Sequence, residues 1–162
     1  MILVRMVPAS PFVRKCLVTA HELNLVDRLT FVDCSAHPVN RDQSIIVSNP
    51  LGKVPTLVTD DGVALYDSRV ICEYLNSLGG GTLFPIAGPA RWAALAMQSL
   101  ADGVMDAAIL ARLETHWPGR TKAQRSPAWI ARQMGKGCIC GASALHTRPA
   151  AMPPSDTRSG MI

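Results

Sequence analysis

Ile2, Val4 and Met6 alternate with Leu3 and Arg5, the period-two pattern of a short strand. Val7-Pro8-Ala9-Ser10-Pro11 then reads as a turn, with Ser10 placed to cap a helix and Pro11 suited to its first position. Phe12, Cys16, Ala20 and Leu23 follow at helical spacing, so a helix is expected over residues 11–24. A second strand is expected from Leu29 to Val32, and residues 34–52 are polar and irregular, with room for one short helix. Val54 to Val58 reads as a third strand containing Pro55. Asp60-Asp61-Gly62 is a hairpin signal, and Val63 to Tyr66 would return antiparallel. Asp67 opens another helix, with Val70, Ile71, Tyr74, Leu75 and Leu78 on one side, and Gly79-Gly80-Gly81 ends it. The order β-α-β, connection, β-β-α predicts a compact α/β layer over residues 1–80.

After a linker around Pro85 to Pro89 the pattern becomes helical. Arg91 to Thr115 forms one stretch with Trp92, Leu95, Leu100, Val104, Ala108, Leu110 and Leu113 supplying apolar faces. A helix of that length spans about 37 Å. Pro118-Gly119 stops it, and Ser126-Pro127 opens a shorter helix to about Gly135. Residues 86–136 are therefore read as a partial helical domain. Residues 137–162, rich in Pro, Gly, Ser, Ala and Cys without a sustained period, are expected to be irregular and poorly ordered, the product of a shifted reading frame or a truncated copy.

Composition narrows the class. The 162 residues are 48% apolar, which suits a globular chain. No uninterrupted apolar run approaches the ~20 residues of a membrane span, and Met1 to Arg5 does not open a signal peptide, so the expectation is a cytoplasmic protein without a membrane segment. Charge is uneven: residues 1–80 carry 7 basic and 8 acidic side chains, residues 81–162 carry 9 and 4. The basic second half has little aromatic interleaving, so it reads as a solvated helical face and not as a nucleic-acid surface. The five cysteines include no CxxC pair. Cys138 and Cys140 form a CxC, a weak metal or redox signal, and free thiols with no metal site are expected.

Three places carry candidate chemistry. A proline in a strand removes a ladder donor, so Val54-Pro55 is either an ordinary edge position or a cis bond that turns the Val54 N–H and C=O toward an extended peptide. Asp67-Ser68 is either a simple helix cap or a site where the first-turn N–H groups and the Ser68 hydroxyl take a carboxylate while Asp67 holds an ammonium. Ser10 is either a cap and nothing more, or a cap that also donates its hydroxyl proton to a ligand sulfur. A free thiol titrates near ~8.5, and lowering it by two units takes about 2.7 kcal/mol. One hydrogen bond to a charged group supplies ~1.5–3 kcal/mol, which is adequate.

Ser10-Pro11-Phe12-Val13-Arg14-Lys15, Asn49-Pro50-Leu51-Gly52-Lys53-Val54-Pro55, and Tyr66-Asp67-Ser68 with Ile71, Tyr74 and Leu75 resemble the N-terminal, thioredoxin-like domain of bacterial glutathione S-transferases. The resemblance covers roughly residues 1–135 and is strong over 1–80. It implies an α/β thioredoxin-like (βαβ-ββα) domain followed by an incomplete all-α domain, in a homodimer that binds glutathione as co-substrate and passes its thiolate to a small electrophile. By the same resemblance, Val54 and Pro55 pair with the cysteinyl backbone and Asp67 and Ser68 hold the γ-glutamyl end. Ser10 faces the sulfur, and Lys53 approaches the glycyl end or the γ-glutamyl carboxylate. Phe12 joins the binding set, close to where a second substrate would lie beside Met105 and Ile109. Ala101-Asp102-Gly103-Val104-Met105-Asp106 resembles a further family segment, which implies that Asp102 reaches the glutathione amino group of a partner subunit. Read from the residues alone, Asp102 and Asp106 are one helical turn apart and are equally well exposed charges or local caps.

Two alternatives stay open. One is a non-catalytic glutathione-binding or scaffold protein of the same fold. The other is a thiol–disulfide oxidoreductase, which needs a cysteine at the first helix start, where this chain has Ser10-Pro11-Phe12-Val13.

Overall fold

The computed structural model describes residues 2–37, 40–81 and 83–116, together with positions 127, 128 and 131. Strand β1 (Ile2–Met6) leads to helix α1 (Pro11–Glu22), a 3₁₀ turn (Val26–Arg28) and strand β2 (Leu29–Asp33). A short helix α2 (Gln43–Ile46) precedes strands β3 (Thr56–Val58) and β4 (Ala64–Leu65), and helices α3 (Ser68–Leu78) and α4 (Gly88–His116) follow. The sheet order is β2-β1-β3-β4. β1 and β2 run parallel, with Val4 opposite Phe31, because α1 carries the chain back to the start of the next strand. β3 is antiparallel to β1, with Leu57 opposite Val4, and β4 is antiparallel to β3, with Leu65 opposite Leu57. This is the mixed thioredoxin-like layer expected from the sequence.

The core lies between the sheet and helices α1 and α3. Ile2, Val4 and Leu57 from the strands meet Cys16 and Ala20 of α1 and Ile71, Cys72 and Leu75 of α3. Closure depends on one glycine. Gly79 caps the end of α3, and a Cβ there would sit 2.7 Å from one side-chain carbon of Leu23 and 2.8 Å from another. The missing side chain is what lets the end of α3 rest on the end of α1.

Several bounds move from those expected, each for a local reason. α1 stops at Glu22, two residues early, because Asn24 turns into the left-handed region at φ 55° and the Leu25 N–H returns to the Ala20 C=O at 2.8 Å. The ladder of β3 begins at Thr56 and not Val54: Pro55 has no N–H to donate, so it stands just outside the strand. The hairpin over Asp60-Asp61-Gly62 is present, closed by a 2.9 Å bond from the Thr59 N–H to the Val63 C=O, which leaves β4 only two residues. α4 starts three residues early, with Pro89 in its first turn, where a missing N–H is harmless.

The face that α4 turns inward also differs. Asp102, Ala107 and Ala111 are buried, whereas Trp92 (69% exposed) and Leu110 (45%) face outward. By length and composition alone, Gly88–Glu114 passes as a membrane span, because its most apolar 18-residue window has a mean hydropathy of 1.3, a property that uninterrupted apolar runs did not reveal. In this fold the middle of that helix is held instead to the α/β layer through a buried carboxylate. The shorter helix expected to follow Ser126 is helical at the three described positions 127, 128 and 131, and the rest of it lies outside the described residues, as does the whole of 137–162.

Candidate functional site

A pocket of about 140 Å³ opens where the segment before β3, the start of α3 and the middle of α4 converge. Phe12, Lys53, Val54, Pro55, Asp67, Ser68 and Asp102, seven of the eight residues singled out from the sequence, line it. Ser10 does not.

The wall made by Lys53-Val54-Pro55 is built from Asn49. That side chain is 1% exposed, and its Nδ2 donates to the Lys53 C=O and to Thr56 Oγ1, each at 3.0 Å. Its Oδ1 accepts the Leu51 N–H at 3.0 Å, and Thr56 Oγ1 donates to the Lys53 C=O at 2.8 Å. Outside this knot, the Arg41 guanidinium donates to the Pro50 C=O at 2.6 Å and presses on Gly52, which adopts φ 64°. A Cβ at Gly52 would lie 2.9 Å from that guanidinium. The Val54–Pro55 bond is cis, and no backbone hydrogen bond within the described residues engages Val54.

The opposite wall is the N-terminus of α3. Asp67 is the N-cap: its carboxylate accepts the Arg69 N–H at 2.9 Å while most of the side chain stays exposed. Ser68, the first helical residue, is 3% exposed. A capping carboxylate and free first-turn N–H groups at one helix start provide a place for an ammonium beside a place for an anion.

Asp102 forms the floor and is 2% exposed. Lys15 Nζ of α1 lies 2.7 Å from its Oδ1 and donates to it. Arg69 Nε of α3 lies 2.8 Å from Oδ2, yet its N–H is not directed at that oxygen, which is left with charge compensation and no hydrogen bond among the described residues. Asp102 is thus engaged within its own chain by cations from two other helices. Asp106 lines the pocket one turn further along α4.

Ser10 caps α1, its Oγ accepting the Val13 N–H at 3.4 Å. Its hydroxyl proton is not needed for that bond and remains free to donate. Sequence reasoning missed Arg69 and the part played by Lys15. Arg69 follows Ser68 directly, a signal of sorts. The meeting of Lys15 with a carboxylate 87 positions away had no signal in the chain.

A family model described as the N-terminal domain of glutathione S-transferase matches residues 9–78. A glutathione transferase family member from Pseudomonas fluorescens Pf-5, solved with bound glutathione, is 38% identical and superposes with a TM-score of 0.83, covering 88% of this chain and 69% of that one. A glutathione S-transferase from Methylobacillus flagellatus KT, also solved with glutathione, is 33% identical with a TM-score of 0.77, covering 89% and 68%. The GST-like protein YibF of Escherichia coli K12, itself uncharacterised, is 35% identical over 128 residues, which are 78% of this chain. The chain spans 60% of the length of that relative.

Proposed function

The chain belongs to the glutathione transferase family, and on that basis we propose that its pocket binds glutathione and that the bound thiolate attacks a small electrophile. One observation carries the reading: the unengaged backbone of Val54 and the buried Ser68 at a helix N-terminus face one pocket of about 140 Å³. An extended peptide can add to the Val54 N–H and C=O as a further strand. Its γ-glutamyl carboxylate then sits on the Ser68 N–H and hydroxyl, with its ammonium beside Asp67. Lys53 and Arg69 offset the two carboxylates of the tripeptide, so the pocket matches its charges as well as its backbone. Asp102 works from within its own chain, holding Arg69 at the rim.

In catalysis the Ser10 hydroxyl donates to the sulfur and favours the thiolate. The thiolate forms a bond to the electrophilic carbon as the leaving group departs, and the rest of the rate comes from positioning. Phe12 and Asp106 border the space open to the second substrate. The same reading makes residues 1–80 the binding domain and 86–136 a helical one in a cytoplasmic homodimer, with the exposed apolar side chains Trp92, Met97 and Leu110 of α4 available for burial between copies.

A second reading, glutathione binding without conjugation, is favoured by the position of Ser10 outside the pocket lining. Calorimetric titration with glutathione tests the shared part: saturable binding is expected, weakened about tenfold by Ser68→Ala, the loss of one hydrogen bond to a charged group. No heat and no thermal shift at millimolar glutathione would sink both readings. Turnover of a generic aryl halide, lost in Ser10→Ala while binding persists, separates the enzyme from the binder.

A further inference from the structure

Cys16 of α1 and Cys72 of α3 lie in the core behind the pocket, 4% and 1% exposed, with their sulfurs 3.9 Å apart. A single buried cysteine is an inert packing group. Two facing sulfurs on neighbouring helices are a different chemical object. A disulfide needs them about 2.05 Å apart, so they must close by about 1.9 Å, less than a sulfur sweeps in one χ1 rotamer change. We propose that Cys16 and Cys72 are a dithiol site that hydrogen peroxide converts to an intramolecular disulfide bridging α1 and α3.

The surroundings favour reaction over mere packing. Thr19 Oγ1 lies 3.3 Å from the Cys72 sulfur, and the Lys15 charge acts on both thiols in the direction of the thiolate. The bond between the two sulfurs divides them: it draws Cys72 down to about 7 against the opposing effect of burial, and it pushes Cys16 up. Cys72 is therefore the more acidic of the two thiols, the one that gives up its proton first. A small apolar cavity bordered by Val13, Cys16 and Ile71 lies on the Cys16 side of the pair.

The steps balance without any further reagent. The thiolate attacks one peroxide oxygen, the O–O bond breaks, and the departing hydroxide takes up a proton as water, leaving a sulfenic acid. The second thiol attacks that sulfur, the S–S bond forms, the S–O bond breaks, and a second water leaves. Two thiols and one hydrogen peroxide give one disulfide and two waters. The bridge draws into a new bond the Cys16 sulfur that lies 3.8 Å from the Ser68 carbonyl oxygen, so oxidation acts beside the backbone that starts α3.

The test uses the full chain with Cys34, Cys138 and Cys140 replaced by serine, treated with a small excess of hydrogen peroxide and then alkylated under denaturing conditions. Intact mass should fall by about 2 Da with no alkylation, and trypsin should release Cys16–Arg28 joined to Val70–Arg91. Dithiothreitol should restore two alkylatable thiols. Both thiols remaining alkylatable after peroxide, or oxygen addition to one sulfur without a linked peptide, overturns the proposal. The readout is a mass, so it stands or falls independently of whether the chain binds glutathione.

Discussion

Lys15 Nζ sits 2.7 Å from Asp102 Oδ1, an ion pair that ties α1 to α4 across 87 positions of sequence. The two partners are unequal: the Asp102 side chain is 3% exposed and that of Lys15 is 18%. Removing a partner from a buried pair leaves the other charge without its compensation, and that cost exceeds what the intact pair contributes. Lys15→Ala strands a buried carboxylate and should lower stability in urea denaturation by about 3 kcal/mol. Arg69 is half exposed and its N–H is misaligned, so Arg69→Ala should cost only about 1 kcal/mol. The reverse order would contradict the burial of Asp102.

Asn49 holds the Lys53-Val54-Pro55 wall with two donated bonds and one accepted. Asn49→Ala removes three hydrogen bonds, although the Lys53 C=O keeps the one from Thr56 Oγ1, and at about 1 kcal/mol for each bond lost this points to a loss of about 2–3 kcal/mol. Glutathione affinity should fall by more than tenfold in protein that is still folded, measured by calorimetry. A variant of wild-type affinity would show that the loop keeps its shape without this side chain.

Gly79→Ala places a methyl group 2.7 Å from a Leu23 carbon at an ordinary φ of −91°, so the cost is steric and not conformational. Overpacking of this kind costs about 1–3 kcal/mol. Thermal denaturation of Gly79→Ala, Leu23→Ala and the double variant should give a favourable coupling, because shortening Leu23 makes the room that the new methyl needs. Additive losses would mean that the two helix ends do not touch.

Asp42 caps α2, accepting the Ser35 N–H at 2.8 Å and the Ser44 N–H at 2.9 Å. Those bonds, the one from Ser35 first, hold its carboxyl below the usual value of 3.8. A depressed folded-state value means that its contribution to stability is full above the unfolded value and is lost as pH falls through the depressed one. The stability difference between wild type and Asp42→Asn should therefore be constant from pH 7 to about 5 and shrink below pH 4. A gap that widens on acidification would reverse the assigned direction.

The sequence was legible where the signal was local. Ser10-Pro11, Asp67-Ser68 and Asp60-Asp61-Gly62 each announced a cap or a turn within a few residues, and each is found in place. Pro55 announced something unusual, but its absent N–H moved the start of β3, a consequence that depends on which neighbour the strand meets. For α4 the chain showed that apolar positions recur, yet small residues and one carboxylate pack inward while Trp92 and Leu110 do not. Periodicity reports that a face exists and not which one finds a partner.

By itself, then, the chain determined its element order, its caps and turns, and the set of residues around Val54-Pro55 and Asp67-Ser68, because backbone propensity and capping act over three or four positions. Only the tertiary structure decided that Asp102 is held by Lys15 and Arg69, that Asn49 supports the proline wall, that Ser10 stands outside the pocket lining and that Cys16 faces Cys72. Each of these depends on where segments far apart in the chain come to rest against one another, which is set by the packing of the whole core.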